Sequence, residues 1–384
     1  MNKQISSPIP NRFVDLGVTP SSTQPDTRTV LPERNLDILR ALAVVCVFID
    51  HLTGMTPFGT DFTRWLGQAG VLSFFVHTSL VLMSSLERDG APNESGWVWR
   101  FYLRRALRIY PLAWAIIALV LLLHIPRGSL ATRWEAVPLS QALANFALVQ
   151  NLALQETVLA PLWTLPLELQ MYVALAFCFL VARRPSRLGM SALVATGVFL
   201  AGFFEWGTMK AHRVPGLPRL NVFVYVPCFL MGVSAYWALR RRKGAARVLP
   251  ACVWLPIILA DIGVASLAWS AGQHWLDRVI FSAVLGLAIP FVREAAPSML
   301  TRVAHTVALY SYGIYLIHVL ALRVGFGVLQ GRPWPVQLVT VFAVLGAGSY
   351  AGYHLIEKPG IALGRRLLGG RRGTVSLEAT APPP

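Results

Sequence analysis

The sequence has little charge for its length. Of its 384 residues, 14% are charged and 55% are hydrophobic, and the mean hydropathy is +0.55. Because a soluble domain usually has about 25% charged residues, this composition excludes an ordinary water-soluble protein. It predicts an all-α, polytopic integral membrane protein, whose helices satisfy their own backbone polar groups inside the bilayer.

Acidic residues are especially few. The sequence has 18 Asp and Glu residues but 34 Lys and Arg residues, so its formal net charge is +16. A strongly basic chain can bind nucleic acid, but here the basic residues occur in short bursts between apolar stretches. The positive-inside rule of membrane topology explains that distribution better. We therefore expect membrane lipids, and no nucleic acid, as partners.

Cysteine is also scarce, and none of the four cysteines belongs to a CxxC motif. Cys46, Cys178, Cys228 and Cys252 all lie in apolar segments, so we expect small buried side chains rather than metal ligands or disulfides. No metal is expected. The first thirty residues are polar and have no apolar core, which predicts a flexible tail rather than a cleavable signal peptide.

Long apolar runs are abundant, and about ten of them could cross a bilayer as helices. They lie near 36–56, 68–86, 109–125, 160–182, 188–206, 220–239, 248–271, 275–293, 306–328 and 335–356. The stretch 138–154 is shorter and contains four Asn and Gln residues, so we predict an interfacial or re-entrant segment there. No internal repeat is visible, which weighs against transporter folds built from repeated halves.

The basic bursts predict the orientation. Most Lys and Arg residues fall on one side if the N-terminus is cytosolic, and an even number of spans then places the C-terminus in the cytosol too. We predict a flexible cytosolic N-terminal tail over 1–34, a membrane domain over 35–360, and a basic, then Pro-rich, cytosolic C-terminal tail over 361–384.

The first span carries Arg40 and His51, eleven residues apart. On an α-helix this spacing gives a rise of roughly 16 Å and about three full turns, so both side chains lie on one face at different depths. An ionisable group at the centre of the membrane costs roughly 2.5 kcal/mol or more, and a histidine can take and release a proton near neutral pH. A packing histidine with an interfacial arginine is the alternative, but the shared face favours function.

The fourth span opens with Thr164, Glu168 and Tyr172, which share a helix face because they are four residues apart. Glu168 is predicted at a depth similar to that of His51. A carboxylate there could orient the imidazole and stabilise its protonated form. An interhelical hydrogen bond or ion pair of purely structural value remains the alternative.

A basic and aromatic segment, WVWRFYLRRALRIYP, precedes the third span. Arg105 and Arg108 are one turn apart in it, and such guanidinium groups suit phosphate oxygens. Interfacial anchoring and positive-inside retention require the same residues, so the residues alone leave both explanations open.

Two further polar groups occur near the C-terminal end. His318 lies deep in the ninth span, after Tyr312 and Tyr315, and is a candidate for contact with substrate or for helix packing. Glu357 ends the tenth span, where Lys358 could neutralise it. A structural role for Glu357 is at least as well supported as a catalytic one.

Taken in order, these segments resemble acyltransferase family 3, a family of polytopic membrane O-acyltransferases, from about Asn35 to Pro359. The resemblance is carried by LDILRALAVVCVFIDH with its Arg, ten residues and His, by GQAGVLSFFVHTSLVL, by the Arg-x-x-Arg of FYLRRALRIYP, and by WTLPLELQMYV, YSYGIYLIH and YHLIEKP. The sequence departs from the common family pattern after Phe-Phe-Val in the second span. It has His-Thr-Ser there, beginning at His77, where the family commonly has Leu-Ser-Gly. His77 is therefore a substrate-pocket candidate, together with Thr164, Tyr172 and His318.

The resemblance implies transfer of a short acyl group, usually acetyl, from cytosolic acyl-CoA to a hydroxyl of a carbohydrate-containing acceptor. It implies a multi-pass protein of the bacterial inner membrane. In this hypothesis His51 deprotonates the acceptor hydroxyl, Glu168 supports His51, Arg40 assists the thioester, and Arg105 and Arg108 hold the phosphates of CoA.

Three other interpretations remain. The acceptor could be a macrolide or small glycoside, as in some members of the same family. A proton-coupled secondary transporter could use Asp50, His51 and Glu168 as a proton relay, although the Arg-rich aromatic segment would then have no ligand to bind. An interaction scaffold gives no reason for buried polar groups on facing helices.

Overall fold

The computed structural model describes residues 31–88, 96–126, 134–183, 186–210, 222–241 and 247–368. The part so described is helical and contains no β-strand, only one isolated bridge between Leu249 and Val292. Most of the predicted N-terminal tail and the end of the predicted C-terminal tail lie outside the described residues. The all-α prediction is confirmed for the described part.

Twelve α-helices follow one another in the described ranges. They are α1 (Glu33–Gly54), α2 (Asp61–Arg88), α3 (Trp97–Leu122), α4 (Leu139–Phe146), α5 (Thr164–Arg183), α6 (Arg187–Lys210), α7 (Val222–Arg241), α8 (Trp254–Ser270), α9 (His274–Ala288), α10 (Met299–Leu322), α11 (Trp334–Ala351) and α12 (Lys358–Leu367). A π-helical segment, Gly352–Glu357, joins α11 to α12, so the chain stays helical from Trp334 to Leu367.

Nine helical segments of the described chain are long and apolar enough to span a membrane, and each overlaps a predicted span. The remaining predicted span corresponds to α1, which has 22 residues. Every 18-residue stretch of α1 contains three charged residues, Asp37, Arg40 and Asp50. The helix α1 is therefore more charged than the nine apolar segments, and its composition alone does not identify it as a membrane span. The polytopic architecture is confirmed, whereas the count of ten and the orientation of the termini stay predictions.

The segment predicted to be interfacial forms only a short helix, α4, of 8 residues. A crossing helix needs about 20 residues, so α4 is too short to be one. Its polar side chains bond to the backbone that leads into α5: Asn145 Nδ2 donates to the Glu156 carbonyl over 2.9 Å, and Gln150 Nε2 donates to the Leu162 carbonyl over 3.0 Å. These bonds fix the start of α5, where the predicted Thr164 and Glu168 lie.

The helix α2 lies at the centre of the bundle and contacts α1, α5, α7, α8 and α9. Small residues allow the close approach of these helices, as is common in membranes. A Cβ atom on Gly70 would meet the backbone of Ala43 in α1, and one on Gly232 of α7 would collide with Ser79 of α2. The helix α1 packs on its other side against α10, so the polar face of α1 meets α10.

Candidate active site

A partly open cavity lies between five helices, α1, α2, α3, α5 and α10. Both polar and aromatic side chains line it, namely Arg40, Val71, Phe74, Phe75, Thr78, Arg108, Ile109, Thr164, Leu165, Glu168, Tyr172, Ser311, Tyr312 and Tyr315. Thr164, Glu168 and Tyr172 therefore share one helix face and one cavity, as their spacing predicts.

Arg40 forms one charged wall of this cavity. Its Nε donates to Ser311 Oγ over 2.6 Å, and the Ser311 hydroxyl in turn donates to the Ala308 carbonyl over 2.8 Å. Ser311 is buried, so the hydrogen bond joins α1 to α10 and fixes the direction of the guanidinium. The terminal nitrogens of Arg40 stay available to a ligand in the cavity, since no other hydrogen bond engages them in the described part of the chain.

Arg108 faces the same cavity from α3. The segment predicted to lie on the cytosolic side just before the third span is the first part of α3 itself, and α3 carries Arg108 to the cavity wall. Arg105 is placed differently, because its guanidinium lies over the Phe101 ring, 5.7 Å from the centroid. Of the two arginines predicted to act together, only Arg108 therefore lines the cavity.

Glu168 is the carboxylate between these cations. It accepts a hydrogen bond from the Tyr172 hydroxyl, and it interacts electrostatically with Arg40, Arg105 and Arg108. The cavity thus holds two guanidinium groups with an acidic partner, a set that can bind an anionic or strongly polarised oxygen.

Glu357 is a second acidic partner, and the sequence did not predict its position. Its side chain is 1% exposed and acts on Arg108 and Arg40, whereas Lys358 is exposed. Neutralisation of Glu357 by Lys358, offered by the sequence, is therefore not seen. The π-helical segment continues the helix through Glu357 and turns the carboxylate inward. The sequence did not predict this continuation, because the Lys-Pro pair after Glu357 is typical of a helix end.

His51 lies away from the carboxylate that was predicted to support it. In the described part of the chain its ring makes one hydrogen bond, from Nδ1 to the Val47 carbonyl over 3.0 Å. The nearest carboxylate is that of Asp50, 3.9 Å from Nδ1, and Glu168 is not among the contacts of His51. Its ring meets the His318 ring edge-on, with 4.8 Å between the centroids.

Tyr315 connects the cavity wall with His318. It lines the cavity, its hydroxyl shares a hydrogen bond of 3.0 Å with the Thr164 hydroxyl, and its ring is 5.9 Å from that of His318. The bonded pair Tyr315 and Thr164 thus forms the part of the cavity wall that lies next to the histidines.

The other two histidines predicted for the substrate pocket are buried. His77 is 5% exposed and His318 is 1% exposed, and neither lines the cavity. Thr78, the neighbour of His77, reaches the cavity wall. The sequence did not predict the other nine lining residues as site residues, because an apolar or hydroxyl side chain in a span carries no signal of its own. These are Val71, Phe74, Phe75, Thr78, Ile109, Leu165, Ser311, Tyr312 and Tyr315.

The fold and the site define a polytopic helical membrane protein with a cavity that two arginines line, beside a histidine pair. The sequence model of acyltransferase family 3, described as an acyltransferase domain, matches residues 33–354. The chain belongs to this family. Searches of curated proteins and of solved structures gave no match.

Proposed function

We propose that the protein is a membrane O-acyltransferase that moves a short acyl group, acetyl in the first instance, from cytosolic acyl-CoA to a hydroxyl of a carbohydrate-containing acceptor. The acceptor is a cell-surface polysaccharide, and the protein resides in the bacterial inner membrane. The observation that carries the proposal is the pairing of Arg40 and Arg108 across one cavity in a chain of this family.

The donor binds from the side of α3. Arg105, one helical turn before Arg108 on α3, contacts phosphates of the coenzyme, while Arg108 and Arg40 face the thioester inside the cavity. During attack on a thioester the carbonyl oxygen gains negative charge, and fixed guanidinium donors stabilise that charge more than they stabilise the neutral carbonyl. Glu168 and Glu357 offset the charge of the two arginines when no donor is bound.

The acceptor is activated at the histidine end of the site, where His51 and Tyr315 both contact His318. His51, with its Nδ1–H engaged by the Val47 carbonyl, presents Nε2 as the base that takes the hydroxyl proton. Asp50 is the carboxylate near enough to favour the resulting imidazolium. Glu168 supports the reaction through Arg40 and Tyr172 rather than by direct contact with His51.

Family membership supports acyl transfer over proton-coupled transport, and the experiment separates the two. The full chain is reconstituted in liposomes with acetyl-CoA labelled in the acetyl carbonyl and with cell-surface glycans whose O-acyl groups have been removed by mild alkali. We expect free thiol and labelled glycan in equal amounts. Thiol release without labelled glycan would contradict a glycan acceptor, and proton-driven uptake without thiol release would contradict the enzyme.

A further inference from the structure

One face of α2 is open to the cavity. Between positions 69 and 86 every residue of α2 is buried except Val71, Phe74, Thr78 and Val81, which are partly exposed. Their spacing of three or four residues places them on one face of the helix, and the first three of them line the cavity. The roles proposed above for charged and hydroxyl groups leave Val71 and Phe74 without a function.

The cavity has a cationic part and an apolar part. Arg40 and Arg108 enter it from α1 and α3, whereas α2 supplies most of its apolar lining, namely Val71, Phe74 and Phe75. In the proposed function the thioester lies at the two arginines, so the carbon chain of the acyl group has to lie in the same cavity. Methylene groups gain free energy when they are buried against apolar side chains. The α2 wall is therefore the part of the cavity suited to the acyl chain.

Phe75 is fixed by its packing against the neighbouring helices. Its side chain is 4% exposed and stacks on Phe229 of α7, with 4.7 Å between the ring centroids. It also meets the Tyr225 ring edge-on at 5.3 Å. Because a closely packed interior has no free space to accept a displaced ring, Phe75 cannot move aside for a ligand.

Phe74 projects further into the cavity, since its side chain is only partly buried. Its ring meets the Tyr315 ring edge-on, with 5.9 Å between the centroids. Tyr315 is itself held by the hydrogen bond of 3.0 Å between its hydroxyl and that of Thr164, so it cannot give way without losing that bond. The Phe74 ring therefore has a fixed neighbour and occupies space that a longer acyl chain would need.

We propose that Phe74 is a specificity-determining residue that limits the length of the acyl group. Acetyl and propionyl groups fit between the arginines and the Phe74 ring, whereas a butyryl or longer chain would have to displace the ring, and overpacking of this kind is unfavourable. This inference rests on the proposed acyl transfer and adds to it the side chain that selects the donor.

The kinetic test compares acetyl-, butyryl- and hexanoyl-CoA as donors to the deacylated glycan in liposomes. Phe74→Ala removes the ring, and we expect kcat/KM for hexanoyl-CoA relative to acetyl-CoA to rise by about 10²-fold. One methylene in a closed apolar pocket changes specificity by about tenfold or more, and each methylene buried in the widened pocket gains roughly fourfold. Phe74→Leu should admit butyryl-CoA but not hexanoyl-CoA.

The matched control is Phe62→Ala, the same substitution in the same helix. Phe62 lies in α2, is 51% exposed and does not line the cavity, so this variant should keep the wild-type preference among the three donors. A wild-type preference in Phe74→Ala, or an equal change in Phe62→Ala, would overturn the proposal while leaving acyl transfer itself intact. If Phe74→Ala fails to fold, the butyryl-CoA rate of Phe74→Leu decides.

A binding measurement separates this inference from the proposed reaction. S-ethyl-CoA and S-hexyl-CoA are thioethers that cannot transfer their alkyl groups, and titration calorimetry of the detergent-solubilised full chain gives their affinities. The wild type should bind S-hexyl-CoA no more tightly than S-ethyl-CoA, and Phe74→Ala should bind it about tenfold more tightly or better. This result would support the pocket even if no glycan were acylated. Equal discrimination by the two proteins, or no binding of either thioether, would overturn it.

Discussion

Arg40 of α1 donates from Nε to Ser311 Oγ of α10 across 2.6 Å, and the same two helices meet again where His51 touches His318. Two helices thus hold the cation at one end of the polar face and the base at the other. The polar residues of the site follow the contact between α1 and α10. On α10, Tyr315 lies between Ser311 and His318 in the sequence.

The bond between Arg40 and Ser311 predicts a graded loss of activity. Arg40→Lys keeps the charge but loses Nε and the planar fork, so we expect kcat to fall by about 10²-fold, as when an oxyanion donor is removed. Ser311→Ala frees the guanidinium without removing it and should cost about tenfold. Thiol release at saturating acetyl-CoA measures both. A larger defect in Ser311→Ala than in Arg40→Lys would contradict this assignment.

Arg105 and Arg108 should affect different kinetic constants. Arg105→Gln removes a phosphate contact and is expected to weaken CoA binding by about tenfold, or ~1.4 kcal/mol, in titration calorimetry of the purified protein. Arg108→Gln should mainly lower kcat, because Arg108 faces the cavity. Arg302→Gln, at an exposed arginine of α10, is the control. Identical effects of the first two variants would count against separate roles for Arg105 and Arg108.

The hydrogen bond between Tyr315 and Thr164 should limit wasteful hydrolysis of the donor. Tyr315→Phe removes this bond, which joins two side chains of the cavity wall, so the wall should loosen and water should reach the thioester more often. We expect a several-fold rise in thiol release without acceptor. Tyr312→Phe removes another hydroxyl of the same cavity, one bonded to the Ile109 carbonyl, and should leave this hydrolysis at the wild-type level. An unchanged rate in Tyr315→Phe would show that the pair is no barrier.

The contact of α2 with α7 predicts a stability effect. Gly232→Ile would drive its side chain into Ser79 and the backbone of Val76, and overpacking of this kind costs about 1–3 kcal/mol or more. Gly263→Ile is the matched control, since a Cβ atom there meets nothing within 4 Å. Thermal unfolding of the detergent-solubilised variants, followed by size-exclusion chromatography, should show a lower midpoint for Gly232→Ile alone. Equal midpoints would argue against the close helix contact.

The sequence predicts the helices well, because apolar length is a strong signal for a membrane span. Faces within one helix follow equally well from its periodicity, as Thr164, Glu168 and Tyr172 illustrate by lining one cavity. The same reasoning correctly places Arg40 and His51 along one side of α1. These features depend only on residues that are close in the sequence.

Relations between helices could not be predicted from the sequence. The similar membrane depths predicted for Glu168 and His51 suggested that the two side chains are neighbours. Two residues at the same depth can still lie far apart, because helices are tilted and rotated relative to each other. In the structure Glu168 faces Arg40 and Arg108, and His51 meets His318. The burial of Glu357 was not predicted for a related reason, since a π-helical segment changes the face on which a residue lies.

The most direct test of the account is the rate of acetyl transfer by His51→Ala to the deacylated glycan in liposomes. General base catalysis contributes about 10²–10⁴-fold to a rate, so the account predicts a loss of this size in a variant that inserts and elutes like the wild type. Labelled glycan formed at close to the wild-type rate by a correctly inserted His51→Ala would contradict the role of His51 as the base.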